Sequence, residues 1–131
     1  MLNRYGEAAD RRDWSMFDQV FTPDATADYA VSKLVGRDAI VKLIRDSLGG
    51  CGPTQHLLGN HTAYIDGDQA HAWCKVRAFS QGAGDRSADT YEVLGTYFHD
   101  LVRMPDGWRT RHLRMDVVAT FGKRDVLRPD R

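Results

Sequence analysis

The sequence lacks the features that mark several large classes of protein. It has two cysteines, Cys51 and Cys74, in 131 residues; a chain of this length can build its core without disulfides, so we expect free thiols. Neither cysteine has the spacing of a paired metal ligand, which argues against a metal site. No apolar run is long enough to cross a bilayer, and the first residues lack the apolar centre of a signal peptide. We therefore expect a cytoplasmic protein.

The chain also has no excess of either charge. Its 18 Lys and Arg residues balance 18 Asp and Glu residues, so no overall field would draw it to nucleic acid or to an anionic membrane. A small, largely apolar ligand fits this composition better. Nucleophile elbows, phosphate-cradling glycine loops and helical metal-ligand pairs are missing from the sequence, and we expect neither a metal nor an organic cofactor.

Helical patterns fill the first part of the chain, and strand patterns fill the rest. Apolar spacing predicts a helix over 2–12, a short second helix that Asp13 caps and that runs to Phe21, and a third helix that stops at Gly49 and Gly50. A turn at Thr22-Pro23-Asp24 would come before a strand at 25–31. Long strands are predicted at 54–65, 69–80, 90–104 and 108–120.

Helices followed by an antiparallel meander predict an α+β fold. We expect three helices in the N-terminal half to pack on a strongly curved, mostly antiparallel sheet that forms a cone-shaped barrel. The predicted domain spans residues 1–131, with a charged tail at 122–131.

One histidine and one aspartate stand out as a candidate acid–base pair, His56 on the first long strand and Asp10 on the first helix. Histidine suits this chemistry because its unperturbed pKa is ~6.5, and a carboxylate can fix its tautomer. Tyr5 lies about 140° from Asp10 on a helical wheel, so both could face one cavity. Tyr5 and Tyr29 could polarise a carbonyl group. The structural alternatives are a solvated Asp10, a strand histidine without a catalytic role and two core tyrosines.

Strand alternation predicts which other side chains share the cavity. If His56 points inward, so do Leu58, Asn60, Thr62 and Tyr64, and the small residues from Ala70 to Ser80 form a floor on the next strand. His112 could enter if its strand keeps the required phase, although Leu113, Met115 and Val117 on the other phase look more like core. His61, His71 and His99 are expected at the surface. The face of the third long strand that carries Tyr91 and Tyr97 could pack on a partner or under the helices. The aromatic residues assigned to the outer phase predict a homodimer or homotrimer: Trp73, Phe79, Tyr91 and Tyr97.

Five stretches of the chain together resemble the SnoaL-like branch of the nuclear transport factor 2-like superfamily, the branch similar to scytalone dehydratase and bacterial dehydratases. The stretches are YGEAADRRDW at 5–14, FTPDA at 21–25, GRDAI at 36–40, TQHLLGN at 54–60 and PDGWR at 105–109. The resemblance implies that His56 is the catalytic histidine and Asp10 its partner. It also implies that Tyr29 polarises the substrate and that Tyr5 matches a tyrosine of the bacterial dehydratases.

The resemblance is incomplete at the other site positions. Ala9 stands where scytalone dehydratase has a tyrosine, and Ser80 stands where it has a second catalytic histidine. The two residues that hold its substrate fall near Thr96 and Phe98. These departures argue against scytalone as the substrate. The predicted substrate-binding residues are Asn60, Ser80, Thr96, Phe98 and His112.

We therefore expect a small-molecule lyase, a dehydratase that uses the Asp10–His56 dyad in an apolar pocket on a cyclic substrate such as a steroid, terpenoid or polyketide. An isomerase or cyclase with the same dyad and a non-catalytic hydrophobic-ligand-binding domain are the alternatives, because fold does not fix function in this superfamily.

Overall fold

The computed structural model describes residues 1–30 and 32–127. Two α-helices and six strands follow one another with three short 3₁₀ helices between or after them. The order is α1 (Leu2–Asp10), a 3₁₀ helix (Trp14–Gln19), β1 (Phe21–Asp28), β2 (Lys33–Val35), α2 (Arg37–Leu48), β3 (Thr54–Asp66), β4 (Gln69–Gln81), a 3₁₀ helix (Gly84–Arg86), β5 (Thr90–Met104), β6 (Gly107–Gly122) and a 3₁₀ helix (Arg124–Leu127).

The strands form one sheet in the order β2-β1-β6-β5-β4-β3. The β1–β6 pair is parallel and the other pairs are antiparallel. The predicted α+β architecture is confirmed, with three N-terminal helices on a curved sheet. Within the described residues β2 and β3 remain edges, so the sheet curves without closing into a barrel.

Both α-helices bury one apolar stripe. In α2, Ile40, Ile44 and Leu48 recur every four residues and are buried, as expected for a helix that lies on a sheet. Gly36 comes before this helix with a φ of 96°, a conformation that glycine adopts without steric cost. The predicted end of the third helix before Gly49 is confirmed.

The short elements near residue 20 differ from the prediction. The second helix is a 3₁₀ turn that ends at Gln19, and the side chain of Asp13 does not cap it. The predicted turn around Pro23 is wrong, because these residues lie within β1. The β1–β6 register shifts between Phe21 and Thr26, so Pro23 occupies a gap in the ladder where no backbone donor is needed. The predicted strand end, Val31, lies outside the described residues, and β2 was not predicted.

The core holds a cluster of rings between the helices and β5. The ring of Tyr5 makes edge contacts with Phe17, Phe21, Tyr97 and His99. The predicted surface position of His99 is wrong: its side chain is 1% exposed and Nδ1 hydrogen-bonds to Thr110 Oγ1 at 2.8 Å. Burial, followed by the nearby N-terminal amino group, lowers the pKa of His99 to about 3, so the buried ring is neutral at pH 7.

Burial decides between the two alternatives for the aromatic face of β5. Tyr91 and Tyr97 are buried, and Tyr97 packs on Tyr5 of α1. This face therefore points inward and does not form the outer surface on which the predicted association depends. The predicted dimer or trimer stays a prediction, and only Trp73 and Phe79 remain of its four aromatic residues. No helix in the described ranges has the length and apolar character that a membrane span requires.

Candidate active site

The site begins where α1 crosses the start of β3. Gly6 lets the two elements approach closely, because a Cβ added at this position would lie 3.3 Å from His56 Cβ. Ala9 is also buried in α1. These small residues let the last residue of the helix, Asp10, reach the N-terminal end of β3.

Asp10 uses both carboxylate oxygens to hold His56. The His56 backbone N–H donates to Oδ2 at 2.6 Å, and ring Nδ1 lies 2.7 Å from Oδ1. Thr54 Oγ1 donates a third hydrogen bond to Oδ1 at 2.9 Å. The side chains of His56 and Asp10 are 8% and 19% exposed. The two residues that the sequence paired therefore lie in direct contact.

The electrostatics of this contact fix the tautomer of the histidine. Burial raises the pKa of Asp10, but the hydrogen bonds from His56 and Thr54 outweigh burial, so the pKa lies below its usual value. Asp10 is therefore an acceptor-only carboxylate at neutral pH. In the neutral imidazole Nδ1 then carries the proton, which leaves the lone pair on Nε2.

Arg12 stabilises this arrangement through its contact with Thr54. Its guanidinium donates to Leu48 O at 3.1 Å, to Gly52 O at 2.8 Å and to Thr54 Oγ1 at 2.8 Å. Because Arg12 donates to the Thr54 oxygen, the Thr54 hydroxyl proton is directed to Asp10. Sequence reasoning missed both residues. Nothing in the sequence distinguishes Arg12 from Arg11, and the orientation of Arg12 depends on a backbone φ of 54°.

His56 lines a cavity of about 390 Å³ between the helices and the concave face of the sheet. No hydrogen-bond partner for Nε2 occurs among residues 1–30 and 32–127. The walls are largely apolar, and much of them comes from α2, β5, β6 and the C-terminal turn: Ile44, Leu48, Val93, Met115 and Leu127. The imidazole is thus next to a space with few competing polar groups.

Two hydrogen-bonded tyrosines belong to the polar part of the same wall, which also includes serine, threonine and arginine side chains. Tyr5 and Tyr29 line the cavity, and their hydroxyl oxygens lie 2.7 Å apart. Burial is the main cause that raises the pKa of both, so both hydroxyls keep their protons. One of them donates to the other across this contact, which leaves one hydroxyl proton of the pair for a ligand. Tyr97, which the sequence analysis left outside the site, packs on Tyr5 with ring centroids 5.0 Å apart.

Three of the predicted substrate-binding residues lie on the opposite face of the sheet. The odd-numbered residues of β5 point inward, as buried Tyr97 and Leu101 show, so Thr96 and Phe98 point outward. In β6, fully buried Leu113 sets the inward phase. His112 therefore points outward and hydrogen-bonds to Thr26 Oγ1 at 2.6 Å.

The remaining two predicted binding residues are also outside the cavity wall. Asn60 is exposed, with a φ of 55°, and lies where the β3–β4 register shifts between Gly59 and Thr62. This bulge ends the inward alternation that starts at His56, and Thr62 and Tyr64 are exposed as well. Ser80 is buried and pairs with Thr54 across the sheet, but it does not line the cavity.

Metal ligation finds no support in the geometry. In the part of the chain that the structure describes, no group of three or more His, Cys, Asp or Glu side chains is placed to hold a metal ion. Cys51 and Cys74 are free thiols.

Comparison with known proteins defines the class. The SnoaL-like domain family matches residues 1–114. The uncharacterized protein Rv2910c of Mycobacterium tuberculosis (strain ATCC 25618 / H37Rv) is 39% identical over 113 residues, which are 83% of this chain and 75% of that protein. The chain belongs to the SnoaL-like family, and its fold is that of the nuclear transport factor 2-like superfamily.

Two solved structures show how widely this fold is shared. A scytalone dehydratase candidate from Novosphingobium aromaticivorans has a TM-score of 0.82 at 19% identity, over 93% of this chain and 82% of that chain. Hexachlorocyclohexane dehydrochlorinase LinA-type3 from Novosphingobium barchaimii has a TM-score of 0.79 at 11% identity, over 93% and 84%. At these identities the likeness shows the fold alone.

Proposed function

We propose that this protein is a cofactor-independent lyase of the dehydratase type, which removes a proton beside a carbonyl group of a small cyclic substrate. The observation that carries the proposal is the placement of His56. Asp10 holds this residue through one hydrogen bond to ring Nδ1 and one from the backbone N–H, and the imidazole lines a largely apolar cavity.

In the first step Nε2 would take the proton from the carbon next to the carbonyl. The electron pair of the broken C–H bond moves toward the carbonyl oxygen, which becomes an enolate. Asp10 stabilises the imidazolium that forms, because its carboxylate is ionised and in contact with the ring. The second bond from Asp10, to the His56 backbone, keeps the carboxylate in place during this change.

The tyrosine pair would stabilise the enolate. A hydroxyl that keeps its proton can donate to a developing oxyanion, and Tyr5 and Tyr29 line the same cavity as His56. Apolar walls strengthen this interaction because they exclude water. Donors fixed by the protein need no reorganisation when the charge develops.

In the second step the β carbon–oxygen bond breaks. The enolate electrons form the carbon–carbon double bond, and the hydroxyl group leaves with the proton held by the His56 imidazolium. The products are an unsaturated carbonyl compound and water, and His56 returns to its neutral state. The substrate class would be cyclic hydroxy-ketones of steroid, terpenoid or polyketide type.

An isomerase or cyclase is the second candidate, and the same observation favours it. The described cavity walls contain no second histidine and no carboxylate, so His56 would also have to return the proton if the substrate had no leaving group. Return of the proton to another carbon would give isomerisation.

The test uses a panel of cyclic β-hydroxy-ketones with the wild-type protein and the variants His56→Ala and Asp10→Asn. Ultraviolet absorbance follows enone formation, and NMR in D₂O follows exchange of the proton beside the carbonyl. We expect exchange and elimination in the wild type and loss of both in the two variants. Activity that is equal in all three proteins would contradict the proposal. Binding without exchange would identify the non-catalytic alternative.

A further inference from the structure

Two salt bridges attach the C-terminal end of the described chain beside the cavity. Lys123 Nζ lies 3.0 Å from Asp89 Oδ1, and Arg86 Nη2 lies 2.6 Å from Asp125 Oδ1. The Lys123 backbone N–H also donates to Thr90 O at 2.8 Å. These contacts attach the segment after β6 to the residues that lead into β5.

Arg124 lies between these two anchors and has a different environment. It lines the cavity together with Leu127, three residues later in the same 3₁₀ helix, where side chains three apart lie on one side. The intervening Val126 is fully buried. Within residues 1–30 and 32–127 the guanidinium has no hydrogen-bond or ion-pair partner, although both of its neighbours in sequence are paired.

The described lining of the cavity therefore carries a positive charge and no negative charge. None of the described residues that line it is Asp or Glu, and Arg124 is its one permanently charged member. Arg124 is exposed, so its guanidinium lies where the cavity meets solvent, whereas the side chain of His56 is 8% exposed. A guanidinium presents a planar fork that matches a carboxylate in a bidentate contact.

We propose that Arg124 binds a carboxylate of the substrate at the cavity mouth and so directs the apolar ring toward His56. This inference rests on the proposed function and narrows its substrate class to cyclic compounds that carry a carboxylate. Arg124 is a specificity-determining residue in this account and takes no part in proton transfer.

The binding test compares naphthoate with naphthamide, its neutral amide of the same shape, by isothermal titration calorimetry at low salt. Because Arg124 is exposed, the charged contact predicts that the wild type binds naphthoate about two- to fivefold more tightly than naphthamide. Arg124→Gln should bind the two probes equally, and Arg124→Lys should keep part of the preference. Arg111→Gln is the matched control, because Arg111 is exposed on β6 and does not line the cavity.

Three results would overturn the inference: equal affinity of the wild type for both probes, a naphthoate preference that survives in Arg124→Gln, or no binding of either probe. The proposed function fails by a different result. His56→Ala should keep the naphthoate preference and lose proton exchange, so exchange activity that survives in His56→Ala would remove the dyad without affecting the role of Arg124.

Discussion

Two His–Asp pairs in this protein have nearly the same contact and very different surroundings. His56 Nδ1 lies 2.7 Å from Asp10, and His71 Nδ1 lies 2.6 Å from Asp100. The first pair has side chains 8% and 19% exposed, whereas the second has side chains 65% and 39% exposed. A short His–Asp contact is therefore not enough to define an acid–base site.

The surroundings of the carboxylates separate the two pairs. Asp10 accepts further hydrogen bonds from the His56 backbone and from Thr54, and Arg12 holds Thr54 in turn. The His71–Asp100 pair lies across β4 and β5 on the outer face, where water competes for the same groups. Additional fixed donors to the carboxylate and a much lower exposure are what the His56 pair has and the His71 pair lacks.

The largest expected difference is in activity. His56→Ala should lower the rate of proton exchange and elimination by about 10²–10⁴-fold, the usual contribution of a general base. His71→Ala removes an exposed histidine with the same contact distance and should leave the rate unchanged. The assay is the NMR exchange measurement on the hydroxy-ketone panel. Equal losses in the two variants would show that the cavity does not distinguish the pairs.

The next largest effect concerns the tyrosines that accompany the buried pair. Tyr29→Phe should lower kcat by a factor on the order of 10², the loss seen when one oxyanion donor is removed. The exposed Tyr64, at 66% exposure, provides the control, and Tyr64→Phe should be neutral. If KM rises and kcat is unchanged in Tyr29→Phe, the tyrosine only binds the substrate.

Loss of either carboxylate should also change the free energy of unfolding by a different amount. Asp10→Ala leaves the donors of Thr54 and His56 without their acceptor, and we expect a loss of about 2 kcal/mol in the free energy of unfolding. Asp100→Ala removes a surface pair, which is worth about 0.5 kcal/mol or less. Urea denaturation with both variants measures the difference. Similar losses would mean that the partly buried contacts of Asp10 contribute no more than the exposed pair.

The smallest expected effect is on the free energy of unfolding at acidic pH. The pKa of Asp10 is lower in the folded state than its usual value near ~3.9. Its contribution is therefore fully present above that value and is lost as the pH falls through the folded pKa. The stability gap between wild type and Asp10→Asn should narrow below about pH 4.

His99 also makes the free energy of unfolding depend on pH. Burial lowers its pKa to about 3, so its contribution is present above the unfolded value of ~6.5 and decreases as the pH falls toward 3. Both proteins carry His99, and the difference between their curves isolates Asp10. A gap that stays constant from pH 7 to acid unfolding would contradict the lowered pKa of Asp10.

The sequence was sufficient for the elements that repeat a simple pattern. Apolar spacing located both α-helices and the four long strands, and the resemblance to the SnoaL-like branch supported the pairing of Asp10 with His56. Thr96 and Phe98 were taken from the resemblance alone, which does not show which phase of β5 packs on the helices. His112 would line the cavity only in the other phase of β6. Asn60 was misplaced because a bulge cannot be read from alternation alone.

Side chains that act through irregular backbone were beyond sequence reasoning. Arg12 reaches Thr54 from a residue with positive φ, and Arg124 lines the cavity because flanking ion pairs hold its segment. Both depend on tertiary contacts that have no local signature. His99 was placed at the surface because its burial depends on the same unknown strand phase.

The central claim is that Asp10 holds His56 with its Nε2 lone pair directed into the cavity. Long-range ¹H–¹⁵N NMR of the imidazole rings tests it directly and needs no substrate. In the wild type the neutral His56 ring should carry its proton on Nδ1, with Nε2 unprotonated, and Asp10→Asn should weaken that preference. A neutral His56 ring that carries its proton on Nε2 in the wild type would contradict the account.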